Sequence, residues 1–162
     1  REGLIKTPER VAKAMQFLTN GYSINPDDLI KKAIFHEAYS EMVIVKDIEV
    51  YSMCEHHMLP FTGTVTLAYI PTERIVGLSK LARLVDAYAL RLQVQERMTK
   101  QIADAMLEHI NPLGCGVVVR GNHSCMCNRG IKKRGEMVTS SLHGVMRTNP
   151  EARAEFLALA GY

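Results

Sequence analysis

Tryptophan is absent from this 162-residue chain, and six tyrosines and four phenylalanines are its only large aromatics. Its core must therefore come mainly from aliphatic side chains, with nine methionines as adaptable packing. No stretch approaches the roughly 18 apolar residues of a membrane-spanning helix. Arg1-Glu2-Gly3 does not begin a secretory signal, so the chain reads as soluble and cytoplasmic, without a membrane partner. Blocks of like charge are missing as well. The 20 basic and 17 acidic residues are scattered and leave a net charge of +3, which argues against a general nucleic-acid binder. Cysteines number only four, and histidines lie beside two of them, which in a cytosolic chain points to metal or thiol chemistry.

A length of 162 residues with 47% apolar content suits one domain spanning residues 1–162. The chain opens on Arg1 without an initiating methionine, so an N-terminal region is expected to be missing. Thr7-Pro8, Asn25-Pro26 and Asn149-Pro150 each place a capping residue before a proline, predicting helices over 8–19, 26–34 and 150–159. The first helix gathers Val11, Ala14, Met15 and Leu18 on one face and Arg10 with Lys13 on another. Residues 41–51 are rich in β-branched side chains, and residues 63–70 alternate Val65, Leu67 and Tyr69 with Thr64 and Thr66; both read as antiparallel strands. Leu81, Leu84, Val85 and Tyr88, then Val94, Met98, Ile102, Ala105 and Met106, repeat at helical spacing. Strands over 115–120 and 136–146 complete the order α-α-β-β-α-α-β-β-α, an α+β domain with an antiparallel sheet backed by helices.

The densest chemistry lies in Ser52-Met53-Cys54-Glu55-His56-His57. Cys54 and His57, with two residues between them, can converge on one tetrahedral zinc in a tight turn. Further ligands are available in His123-Ser124-Cys125-Met126-Cys127. Three protein ligands would leave the open position of a catalytic zinc, whereas four would make a closed structural site, and Cys127 keeps both arrangements open. Taken one at a time, these histidines are also ordinary turn residues and these cysteines ordinary small core residues. A doubled histidine beside one cysteine nonetheless leaves spare acid-base groups near the metal.

Gly77-Leu78-Ser79-Lys80-Leu81-Ala82-Arg83 puts Ser79 and Lys80 at a helix N-terminus with Arg83 one turn on, an arrangement that favours an anion. A solvated basic helix end is the plainer meaning of the same residues. Arg10 with Lys13, and Arg129 with Lys132, Lys133 and Arg134, are further basic groups available to a triphosphate. In Gln93-Val94-Gln95-Glu96-Arg97, the Glu96 carboxylate matches the N1–H and amino edge of guanine, or alternatively pairs with Lys100 one turn away.

Cys54-Glu55-His56-His57, Ala68-Tyr69-Ile70-Pro71, Gly77-Leu78-Ser79-Lys80, Gln93-Val94-Gln95-Glu96-Arg97 and His123-Ser124-Cys125-Met126 together resemble the GTP cyclohydrolase I family, in the family's order. Thr7-Pro8-Glu9-Arg10-Val11-Ala12-Lys13 is similar to the same family, so the likeness spans nearly the whole chain. It implies zinc held by Cys54, His57 and Cys125, with His56 and His123 as acid-base residues. It implies purine recognition by Gln95 and Glu96, and triphosphate binding by Ser79, Lys80, Arg83, Arg129, Arg10 and Lys13. The implied fold is the tunnelling fold, assembled as a toroidal homodecamer of two pentamers with active sites between subunits. The implied reaction converts GTP to 7,8-dihydroneopterin triphosphate with release of formate, the first step of tetrahydrofolate and pterin biosynthesis. Cys127 and Lys132-Lys133-Arg134 vary from the family pattern. The competing readings are a relative that stops after hydrolysis, and a zinc-stabilised nucleotide-binding protein whose closed site includes Cys127.

Overall fold

The computed structural model describes all 162 residues. In chain order the elements are α1 (Thr7–Leu18), α2 (Pro26–Lys31), β1 (Ile34–His36), β2 (Val43–Cys54), β3 (Pro60–Ile70), β4 (Arg74–Val76) and α3 (Leu78–Ala89). There follow β5 (Leu92–Gln93), α4 (Gln95–Ile110), β6 (Gly114–His123), α5 (Ser124–Cys127), β7 (Met137–Gly144), α6 (Val145–Thr148) and α7 (Pro150–Ala160). No helix is long and apolar enough to cross a membrane.

Two of the three expected caps form as their chemistry requires. Asn25 Oδ1 accepts the Asp27 amide at 3.0 Å and Asn149 Oδ1 accepts the Ala152 amide at 2.9 Å. Thr7 does not cap. The 3-10 turn Glu2–Leu4 leads directly into α1, so Lys6 takes the cap position and the Thr7 hydroxyl donates back to Gly3 O at 3.3 Å. The second helix ends at Lys31, short of the expected boundary at 34, because Ile34 enters β1, which pairs with β4.

The main sheet has the order β5-β2-β3-β6-β7. It is antiparallel except where β5 adds two residues parallel to β2, a pairing too short to leave a signal in the sequence. Strand alternation sets the two faces of the sheet. Val65, Leu67 and Tyr69 of β3 and Cys115, Val117 and Val119 of β6 bury against Leu81, Leu84 and Val85 of α3 and Met98, Ile102 and Met106 of α4. Fully burying each of the larger aliphatic side chains contributes about 1.5–3 kcal/mol. On the opposite face Ala68 and Val118 meet Met146, Phe156 and Ala160 from the C-terminal helices. Burial pushes the Cys115 thiol up to about 12, which marks it as a core residue among the four cysteines.

The register brings the chemistry-bearing strand ends together at one end of the sheet. Met53 pairs with Pro60, Phe61 with His123, and Cys54 with Gln93. The end of β2, the end of β6 and the β5–α4 junction therefore face one another. Elsewhere, β7 is an edge strand, and α1 buries none of its own residues, leaving Val11 and Phe17 exposed.

Candidate active site

The β2–β3 turn is closed by Cys54 N–H donating to Leu59 O at 2.9 Å and Met58 N–H donating to Cys54 O at 2.8 Å. Met58 takes a left-handed conformation, φ 51°, to complete it. This tight path sends Cys54 inward and leaves His56 and His57 at the surface of the chain. Both rings approach the Cys54 sulfur, with Nδ1 at 3.9 Å for His56 and 3.8 Å for His57. One donor atom each from Cys54, His57 and Cys125 lies within 4.8 Å of the other two. His56 and Cys127 do not join that group.

Two sulfurs and one imidazole nitrogen are a zinc donor set, and tetrahedral coordination places a sulfur and a nitrogen about 3.6 Å apart. The Cys54 to His57 separation of 3.8 Å fits that requirement without rearrangement of the turn. Burial, and then the adjacent Cys54, push the Cys125 thiol up, while the positive charge of Arg129 pulls it down. A second convergence, of Asp27, Glu108 and His109, is already paired internally: His109 Nε2 lies 2.9 Å from Asp27, which also accepts from Lys31 at 3.0 Å. That cluster ties α2 to α4.

His123 is fixed on two sides. Its ring stacks on Phe61, centroids 4.4 Å apart and planes 14° from parallel, and its Nε2 lies 2.8 Å from Gln95 Oε1. The Gln95 amide nitrogen donates to Val119 O at 3.1 Å, Met137 O at 2.9 Å and Thr139 Oγ1 at 3.1 Å. With carbonyls holding the NH2 group, the amide oxygen has to face His123, so Nε2 carries the proton and donates. Burial holds the His123 pKa down and favours the neutral ring, against a smaller opposing pull from Glu96. The backbone makes room for this pair at Gly121, where a Cβ would stand 2.2 Å from Gln95 Oε1 and 3.4 Å from His123 Nε2.

Cys54, His56, Gln95, Glu96, His123 and Cys125 line one cavity of about 180 Å³. It shares His123, Cys125 and Met137 with a second cavity of about 360 Å³, giving the site room for a planar base beside the thiols. A larger concavity of about 410 Å³ touches this region only through Glu96 and contains none of the sulfurs.

A sequence model described as GTP cyclohydrolase I matches residues 1–161. The chain belongs to the GTP cyclohydrolase I family. It is 56% identical over 160 residues to GTP cyclohydrolase 1 of Chlorobium chlorochromatii, covering 98% of this chain and 72% of that one. The Leptospira biflexa and human proteins of the same name are each 54% identical over 98% of this chain, which spans 87% and 64% of their lengths. Among solved structures, the apo form of an archaeosine synthase QueF-Like aligns with TM-score 0.49 and 21% identity over 62% of this chain and 92% of that one, a likeness too weak to carry an argument.

The GTP cyclohydrolase I residues expected at the triphosphate are placed differently from those around the sulfurs. Ser79, Lys80 and Arg83 lie on the first turns of α3, Lys13 pairs with Glu9 at 2.6 Å, and Arg10 donates to Gly3 O at 3.3 Å. None of these five lines the cavity at Cys54, whereas Arg129 is near enough to act on the Cys125 thiol. Glu96 is free of Lys100, which pairs with Asp104. Sequence reasoning missed Phe61, Gly121 and Thr139. Phe61 and Thr139 alternate like any strand residue, and of the three only Gly121, a glycine inside a strand, offered a signal of close backbone approach.

Proposed function

We propose that residues 1–162 form the catalytic domain of a zinc-dependent, cytoplasmic GTP cyclohydrolase I. The reaction adds water to GTP overall and yields formate and 7,8-dihydroneopterin triphosphate. The observation that carries this reading is the convergence of Cys54, His57 and Cys125 beside a histidine held by a buried amide. Cys54, His57 and Cys125 would hold the zinc, which would supply Lewis acidity to activate water near neutral pH.

The remaining chemistry falls to the protein side chains. His123 donates a hydrogen bond from Nε2–H to Gln95 Oε1, which leaves Nδ1 to accept a proton from the attacking water and pass it to the purine, and His56 on the cavity wall is the second acid-base group. One of them protonates N7 as C8 is attacked, opening the imidazole ring. Glu96 accepts from the guanine N1–H and amino group. Gln95 serves the purine through His123, because its own amide is committed inside the protein. Replacing Gly121 with Ala crowds Gln95 Oε1 and is expected to lower turnover about 10- to 100-fold while zinc content is kept, checked by formate release and metal analysis on one sample.

Ser79, Lys80, Arg83, Arg129, Arg10 and Lys13 take the triphosphate once a neighbouring chain completes the site. In support, β7 presents an open edge, the outer side of β2 is paired only at its last two residues, and α1 stands with apolar side chains uncovered. A homodecamer of two pentamers closes those edges. The test is a zinc-replete incubation with GTP that follows formate and the pterin chromophore together. Appearance of both establishes the reaction; formate alone indicates arrest at hydrolysis, and neither product with GTP bound indicates a nucleotide-binding protein.

A further inference from the structure

Glu55 sits between the candidate zinc ligand Cys54 and the proposed acid-base residue His56, and its carboxylate is paired with a residue of α4. Its carboxylate takes a two-pronged contact from Arg97, with Nη1 to Oε2 at 2.6 Å and Nη2 to Oε1 at 2.9 Å. Its backbone N–H donates to Gln93 O at 3.0 Å. Arg97 follows Gln95 and Glu96 in the first turn of α4. The turn bearing Cys54, His56 and His57 is thus clasped twice to the segment bearing the groups that hold His123 and face the purine.

Both side chains are partly exposed, 44% for Arg97 and 32% for Glu55. An exposed ion pair adds little to stability, because water screens both charges, so the fold does not depend on this one. What two parallel hydrogen bonds from a planar guanidinium do supply is a fixed angle between the elements that carry them. A lysine in place of Arg97 would keep the charge and lose that angle.

We propose that the Glu55–Arg97 fork is a positioning device that sets the metal-binding turn against the start of α4, so that the two halves of the active site keep one relative orientation. The inference rests on the proposed cyclohydrolase reading for its kinetic consequence, and on the geometry alone for its mechanical one. A displacement of about 1 Å at a reacting centre costs on the order of 100-fold in rate, which is where a loosened turn would show.

The variants are Glu55→Gln, Arg97→Gln, Arg97→Lys and the double Glu55→Gln/Arg97→Gln. Each single is expected to lower kcat about 10- to 100-fold, with KM for GTP within about threefold and zinc retained, because neither side chain is placed on the substrate. The double variant should be no slower than either single, since both remove one interaction. Amide hydrogen exchange over residues 54–59, read on zinc-free protein, should quicken equally in all four. Wild-type kcat in a single variant, rate losses that multiply in the double, unchanged exchange, or failure of a Gln variant to fold would each overturn the proposal. Should wild-type protein make no product, the cyclohydrolase reading falls, and the exchange measurement still decides the fork.

Discussion

Cys125→Ala is expected to retain less than about a tenth of the wild-type zinc and to lower GTP turnover on the order of 1000-fold, since the nucleophile depends on the metal. Cys54 and His57 share one tight turn, and Cys125 is the only ligand of the three that comes from the β6 end of the sheet. Without it a zinc ion would have two protein donors, both on one turn. Cys127→Ala is the control and should keep both metal and activity, because Cys127 lies outside the converging group. Zinc loss from Cys127→Ala with retention in Cys125→Ala would exchange their roles. Equal loss from both would revive a closed four-ligand site, and with it the nucleotide-binding reading.

The order of elements was legible because two periodicities dominate the chain. Val65, Leu67 and Tyr69 alternate at period two and do form one wall of the main core, while Met98, Ile102 and Met106 repeat at helical spacing and form the facing wall. Short pairings escaped because they carry no period: β1 and β4 have three residues each and β5 has two. Capping followed local chemistry at Asn25 and Asn149 and failed at Thr7, where a preceding 3-10 turn had already committed the backbone.

At the site, the candidate metal ligands stood out because thiol and imidazole are crowded into a few positions. Their partners did not. The family resemblance implies purine recognition for Gln95, yet it is 1% exposed and its amide is spent on Val119, Met137, Thr139 and His123. The strand register that delivers those partners lies between residues some 24 to 44 positions away, which no local pattern encodes. Likewise Glu96 and Lys100 have the spacing of a helix ion pair, but Asp104 competes for the same lysine and wins it.

His123→Ala separates metal binding from proton transfer, and is expected to keep zinc and GTP affinity near wild type while turnover falls about 100- to 10,000-fold. His123 is not among the converging metal donors, so its removal leaves Cys54, His57 and Cys125 in place. It does leave Gln95 Oε1 without its donor and Phe61 without its stacked partner, so some loss of stability accompanies the chemical defect. His123→Gln addresses that confound, since its amide can still donate to Gln95 but cannot carry a proton at neutral pH. If His123→Gln folds like wild type, holds zinc and remains inactive, the missing function is proton transfer. If His123→Gln regains most of the turnover, His123 acts by packing and hydrogen bonding alone, and the acid-base role passes to His56, the other imidazole on the cavity wall.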